Sequence, residues 1–186
     1  LILASLSMLT AIIVGLTLGI SAAVAPSRIL RTLLSTVSVI GQSVPVFFLG
    51  LVGILVFAAT LKWLPAFGFK GPSSLIMPVF ALSLLPMARV ARLSRASMTE
   101  VLQQDYILTA RSKGVRPWGV ITKHGMRNMF IPVLTLIGYD IIQLFGTMTI
   151  GEVVFGWPGI GSQLVRSASQ RDFAVVQAIA LAVATA

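Results

Sequence analysis

Residues 89–128 read RVARLSRASMTEVLQQDYILTARSKGVRPWGVITKHGMRN, and the chain is organised around them. This is the one long polar stretch in an otherwise apolar sequence. It carries eight of the fourteen Lys and Arg residues: Arg89, Arg92, Arg95, Arg111, Lys113, Arg116, Lys123 and Arg127. Only Glu100 and Asp105 oppose them. A basic segment between two apolar runs belongs in water on the cytoplasmic face of a membrane, where loops rich in Lys and Arg are retained.

The composition on either side agrees. Hydrophobic residues make up 56% of the chain, charged residues 10%, and mean hydropathy is +0.97. A soluble domain carries about 25% charged residues to solvate its surface, so the chain reads as an integral membrane protein. The net charge of +9 is concentrated in the polar stretch, which fits the positive-inside rule better than a nucleic-acid-binding surface. With no cysteine and one histidine, disulfides and thiolate chemistry are excluded and a protein-built transition-metal site is not expected. No cofactor is implied. The chain opens and closes inside apolar sequence, so a fragment of a longer protein is expected.

Residues 1–25 form a continuous apolar run, about 37 Å long as a helix at roughly 1.5 Å per residue. Gly15, Gly19 and Ser21 recur along it and predict a smooth packing face. A second run, 32–61, is interrupted by GQSVPVF at 41–47. Gln42, Ser43 and Pro45 there predict either a tolerated kink or a break that lines a solute pathway. Residues 62–74 read as an interfacial loop with Trp63 as anchor. The short run 75–87 can span only by extending into residues 88–93, with its arginines snorkelling outward. A fourth span, 129–150, contains Pro132, Asp140 and Gln143, and a fifth begins at Phe173. Alternation then places loops 26–31 and 89–128 inside, with 62–74 and 151–172 outside. That gives ten Lys and Arg inside against four outside, so alternation and charge agree.

Within the polar stretch, Ser97 and Glu100 have capping-box spacing, although continuous helix is an equal reading. A helix over 101–113 would end at Gly114, with Arg111 and Lys113 in its last turn, and Pro117 suits the first turn of the next. The sequence thus predicts helix, sharp turn, helix. Val115, Trp118 and Ile121 lie exposed among cations. Such an elbow could lie on anionic lipid or dock into a protein.

Asp140 is the one acidic residue inside a span, where a carboxylate costs on the order of 2.5–3.5 kcal/mol on insertion scales. Asp140, Gln143 and Thr147 share a helix face. Two readings stand: a satisfied structural carboxyl, or a pathway residue meeting charge on the solute. In the external loop, Glu152, Trp157, Pro158, Gly159 and Gly161 read as turn chemistry or as a gate or receptor contact. His124 has no catalytic neighbour at useful spacing.

The segment DYILTARSKGVRPWGVITKHGMRNMFIPVLT resembles the coupling-helix segment of binding-protein-dependent ABC importer permeases. It is most similar to the dipeptide, oligopeptide and nickel branch. GQSVPVFFLGLV and GEVVFGWPGIGSQLVRSASQRDFAVVQ resemble two further stretches of that branch, so the likeness covers essentially the whole chain in order. The family's acidic triplet is here Leu108-Thr109-Ala110, without the acid, while Gly114 keeps its spacing. The resemblance implies an all-α, multi-spanning transmembrane bundle, about five spans being visible, with residues 1–186 forming one permease domain. It implies a non-catalytic subunit in a bacterial or archaeal inner membrane, importing a peptide or related small solute. The implied partners are a second, usually different, permease subunit, two cytoplasmic ATPases and an extracytoplasmic solute-binding protein. Thr109, Ala110 and Gly114 would keep the coupling knob small, Arg111, Lys113 and Arg116 would supply cationic contacts, and Trp118 would anchor its second arm. No G-x-x-x-x-G-K-[ST] phosphate loop is present, so ATP hydrolysis is expected on separate subunits. The alternative is an ATPase-independent secondary transporter or channel subunit, which has no use for the elbow and would be expected to carry an inverted repeat.

Overall fold

The computed structural model describes residues 2–184, apart from the side chains of residues 37–42. The described chain is helical throughout its ordered elements. In order they are α1 (Ile2–Val24), α2 (Arg28–Ser43), α3 (Val46–Gly53), α4 (Ile76–Val101), α5 (Asp105–Ser112), α6 (Pro117–Gly119), α7 (Met126–Val154), α8 (Ile160–Ser169) and α9 (Phe173–Ala184). Two wider, π-helical stretches continue elements without a break: Ile54–Thr60 prolongs α3, and Val120–Gly125 joins α6 to α7. A 3₁₀ turn at Pro72–Leu75 leads into α4.

Among the described residues three helical stretches are long and apolar enough to cross a membrane: Ile2–Val24, Pro72–Val101 and Pro117–Val154. Val46–Thr60 and Phe173–Ala184 are apolar but shorter. All five predicted runs are therefore helical, with changed boundaries. The second does not form one kinked helix. Ser27 caps α2 by accepting from the Leu30 amide, and α2 stops at Ser43, where Val44 and Pro45 are extended. A proline ring disfavours helical conformation at the residue before it; α4 and α7 run through Pro86 and Pro132, but here Val44 is extended and the run divides in two.

The third run differs the other way. α4 continues past residue 93 to Val101, so Ser97 and Glu100 lie inside it and form no capping box. A turn at 102–104 separates it from α5, which starts at Asp105 rather than 101.

The chain packs as two compact units. One comprises Leu1–Ser7, Pro45–Leu82 and Gln143–Ala186. Its core is Met77, Ala81 and Phe155, with Leu49, Ile54, Ala58, Leu64 and Val154 packed around them. The other comprises Met8–Val44 and Ser83–Ile142. Its core joins Val90 and Met98 of α4 to Met129 and Val133 of α7, with Leu16 and Ile20 of α1 against them.

Close approach of α1 to α4 in this second unit depends on two glycines. A β-carbon at Gly15 would stand 2.8 Å from the Met87 carbonyl oxygen, and one at Gly19 would stand 2.4 Å from that of Ala91. Small residues let helix backbones meet where lipid offers no hydrophobic drive. Ser21, two residues on, is exposed and takes no part in this face.

Candidate functional site

The elbow forms helix, turn and helix as expected, but of its three apolar residues only Trp118 is exposed, Val115 and Ile121 being half-buried and Ile121 packed on the core of its unit. Gln104 is the extended residue before α5, Asp105 sits in the first turn and Arg111 in the last, each where its charge complements the helix dipole. Gly114 takes φ +78, a left-handed conformation that costs an L-residue about 1–2 kcal/mol. The Val115 amide donates to the Ala110 carbonyl at 3.2 Å and the Gly114 amide to that of Arg111 at 2.9 Å. Those two bonds are a Schellman closure of the last turn. Nothing lies within 4 Å of a β-carbon built on Gly114, so the glycine serves the turn and not a tight contact. Arg116 is extended, and Pro117 opens the second arm.

Which way each side chain points divides the predicted set. Ile107, Ala110 and Val120 are buried against the body of the unit. Thr109, Arg111, Lys113, Gly114 and Arg116 are exposed, and Trp118 is 73% exposed. Ala110 is thus an inward packing residue. Two features escaped the sequence reading. Leu108 is 65% exposed and stands beside the cations as a second apolar projection. The Asn128 side-chain amide donates to the Tyr106 hydroxyl at 2.7 Å, tying the first arm to the start of α7. Nothing in either residue's own neighbourhood foretells that bond, since its partners are 22 residues apart.

Deeper in the same unit, the Arg89 guanidinium donates to Asp140 Oδ1 at 2.7 Å, forming an ion pair between α4 and α7. The Asp140 side chain is 1% exposed and that of Arg89 29%. The second carboxylate oxygen, Oδ2, is buried without a hydrogen-bond partner. Arg89 is turned into the protein rather than snorkelling away from it. Arg95 behaves likewise, donating to the Ser35 hydroxyl on α2. Buried charge in a membrane segment is tolerated where it is paired, and Asp140 is paired with a residue of its own chain.

Gln143 is exposed, and Thr147 is half-buried with its hydroxyl donating to the Gln143 carbonyl at 2.9 Å. Ser43 and Pro45 are exposed at the break between α2 and α3. Gln42 lies outside the residues whose side chains are described.

In the first unit, the residues predicted to form an external loop make the following turn contacts. Gly156, at φ +57, ends α7 with the same closure as Gly114: Trp157 donates to the Glu152 carbonyl at 2.8 Å, and Gly156 to that of Val153. Glu152 is buried, and its Oε2 accepts the Ser162 amide at 2.9 Å. Its carboxylate therefore caps the start of α8 from outside that helix, where Gly159 at the cap position has no side chain to do so. β-Carbons at Gly159 and Gly161 would stand 2.0 Å from the Glu152 carboxylate and 2.4 Å from the Thr149 hydroxyl. Trp157 packs edge-on against Phe69, with ring centroids 5.5 Å apart. Among the described residues no group of three or more His, Asp or Glu could hold a metal ion.

The chain was compared with known proteins. Residues 15–186 match the family model described as "Binding-protein-dependent transport system inner membrane component". The glutathione transport system permease protein GsiC of Escherichia coli strain K12 is 44% identical over 172 residues, covering 92% of this chain and 56% of that protein. The protein of that name from Shigella boydii serotype 4 is 43% identical over the same length. The chain thus spans a little over half the length of these curated relatives. Two solved structures share the fold. The inward-facing MetNI methionine ABC transporter gives a TM-score of 0.75 at 16% identity, covering 98% of this chain and 85% of that one. An amino acid ABC transporter with histidines gives 0.69 at 16% identity, covering 98% and 81%.

Proposed function

The chain belongs to the family of binding-protein-dependent transport system inner membrane components, and from that premise we propose that it forms one membrane-spanning half of an ATP-driven importer. It is a permease subunit and carries no catalytic step of its own. Hydrolysis falls to two cytoplasmic ATPases, a second permease subunit completes the pathway, and an extracytoplasmic binding protein delivers the solute. The complex sits in a bacterial or archaeal inner membrane. A peptide or related small solute is the cargo, in keeping with the glutathione carriers to which the chain is similar.

The observation that carries this reading is the elbow. Its turn is locked by Gly114 and Pro117, its first arm is tied to α7 through Tyr106 and Asn128, and its outer surface offers Leu108 and Trp118 among Arg111, Lys113 and Arg116. A stiff projection with two large apolar side chains in a cationic rim suits a groove on an ATPase. Movement of that groove would be passed to α7, since α6, the π-helical stretch and α7 run on without interruption. Residues 89–128 form the cytoplasmic segment on this reading, with 26–31 on the same side and 62–74 and 151–172 outside. Glu152, Trp157, Pro158, Gly159 and Gly161 hold the external loop in shape, so that α8 is presented to the outer face.

The test is Gly114→Glu in the assembled importer. The added carboxylate sets a negative charge among Arg111, Lys113 and Arg116, and the left-handed turn is strained. The variant is expected to insert and to lose stimulation of ATP hydrolysis by solute-loaded binding protein. Normal transport would defeat the coupling role, and failure of the wild-type chain to co-purify with any ATPase would defeat the importer reading as a whole.

A further inference from the structure

The helical piece that begins at Val46 ends in a conformation that a lysine rarely takes. Leu61 is right-handed, and Lys62 follows it at φ +56, in the left-handed region that favours glycine. The turn is held on both sides. The Leu61 amide donates to the Val56 carbonyl at 2.9 Å, and the Trp63 amide to that of Phe57 at 2.8 Å. Trp63 leans on Phe57, with ring centroids 6.3 Å apart, and is still 70% exposed. Lys62 is exposed too, and its side chain is in no ion pair or hydrogen bond among the described residues. A lysine anywhere in the last turn would complement the helix dipole, so that alone does not require the left-handed position. Backbone strain at a non-glycine residue points to a use for its side chain.

The charge around it is unbalanced. The first unit has four cations, Lys62, Lys70, Arg166 and Arg171, against Glu152 and Asp172. Both acids are engaged at helix starts, Glu152 accepting the Ser162 amide and Asp172 the Val175 amide, and neither is in an ion pair among the described residues. Residues 61–74 contain two lysines and no acid. An anion that answers these cations is therefore not supplied by the unit itself. The adjoining surface indicates its kind. The apolar helical piece Val46–Thr60, which leads into Lys62, exposes Leu51, Leu55 and Phe57. An apolar wall that ends in an indole and an ammonium matches a phospholipid along its length, since the indole suits the interface and the lysine carries its charge out to the headgroups.

We propose that the corner at Lys62 and Trp63 binds an anionic phospholipid of the outer leaflet. Its phosphate meets the Lys62 ammonium, its glycerol lies at the level of the Trp63 ring, and an acyl chain runs along the exposed side of Val46–Thr60. Lys70, in the same acid-free loop, adds a second positive charge to the headgroup region. The proposal rests on the outward placement of residues 62–74 in the permease reading and adds a lipid partner to it.

The experiment uses the whole importer, its other subunits prepared free of cysteine, in sealed right-side-out proteoliposomes of phosphatidylcholine. Because this chain has no cysteine, Ala59→Cys carries one bimane probe at an exposed position just before Lys62, and Ile13→Cys, exposed on α1, serves as comparison. Spin-labelled phosphatidylglycerol or phosphatidylcholine is introduced into the outer leaflet alone. At Ala59→Cys the anionic lipid is expected to quench at an about fivefold lower mole fraction than the zwitterionic one, as one cation near a membrane surface predicts. Ile13→Cys should show no preference. Lys62→Gln should abolish the preference and Lys62→Arg keep it, and excess inorganic phosphate should leave it unchanged. Lys62→Gly relieves the left-handed strain, so the preference should vanish with the unfolding midpoint no lower, a split that a merely structural lysine would not give. Equal quenching by the two lipids, the same preference at Ile13→Cys, or its survival in Lys62→Gln would overturn the site. So would shielding of the probe by solute-loaded binding protein in place of lipid. A preference found only with lipid in the inner leaflet would overturn the outward placement of this loop. Absence of ATP-driven import by the wild type would remove the importer reading and leave the lipid site standing.

Discussion

Asp140 illustrates what a single position can and cannot announce. Its presence inside an apolar run shows that it must be sheltered, and it is buried as that requires. Its partner could not be read from sequence, because Arg89 lies 51 residues away in a stretch that looks like loop. The pair satisfies one oxygen and leaves the other without a donor. Asp140→Leu strands the guanidinium and is expected to cost about 3–5 kcal/mol, read as a lower unfolding midpoint in detergent. Adding Arg89→Met should recover most of that loss, since an apolar pair of similar volume does not bear the desolvation cost of two charges. At the elbow, Gly114→Ala should cost about 1–2 kcal/mol through its left-handed φ alone, and Val115→Ala, which keeps the turn, much less.

At the scale of elements, the apolar runs located every long helix, whereas the ends were set by contacts that a linear reading does not contain. α4 runs to Val101 because Val90 and Met98 pack against α7 and Arg95 reaches α2. The turn of the elbow was legible, since Gly114 and Pro117 act locally on the backbone, but the start of α5 at Asp105 and the bond from Asn128 to Tyr106 were not. The turn around Gly156 was legible too, but not the use of Glu152 as a strut across to α8. Glu152→Ala should uncap that helix at a cost of about 0.5–2 kcal/mol. Faster amide exchange through Ile160–Ser169, with exchange in α4 unchanged, is the expected readout. Exchange as slow as in the parent would mean that Ser162 alone closes the cap.

For the molecule as a whole, the family likeness and the charge asymmetry lead to one orientation, with the elbow inside. Single cysteines introduced into this cysteine-free chain test it directly: Trp118→Cys should label from the cytoplasmic side of sealed vesicles and Trp63→Cys from the other. Both reacting from the same side would break the alternation. The five apolar runs, the elbow and the intramembrane carboxylate were all legible. The division of the second run into two helices was foreshadowed only as a kink, because the sequence locates Pro45 without saying whether the helix survives it.

That division carries a consequence for the surrounding lipid. The apolar piece after Pro45 is 15 residues, Val46–Thr60, or about 22 Å of helix, against a hydrocarbon layer of about 30 Å. A bilayer beside it has to thin, and thinning costs fractions of a kcal/mol for each ångström. Acyl-chain length thus becomes a control on the machine: import should run faster in vesicles of shorter-chain phospholipid, and a rate indifferent to chain length would mean that α2 carries part of the crossing.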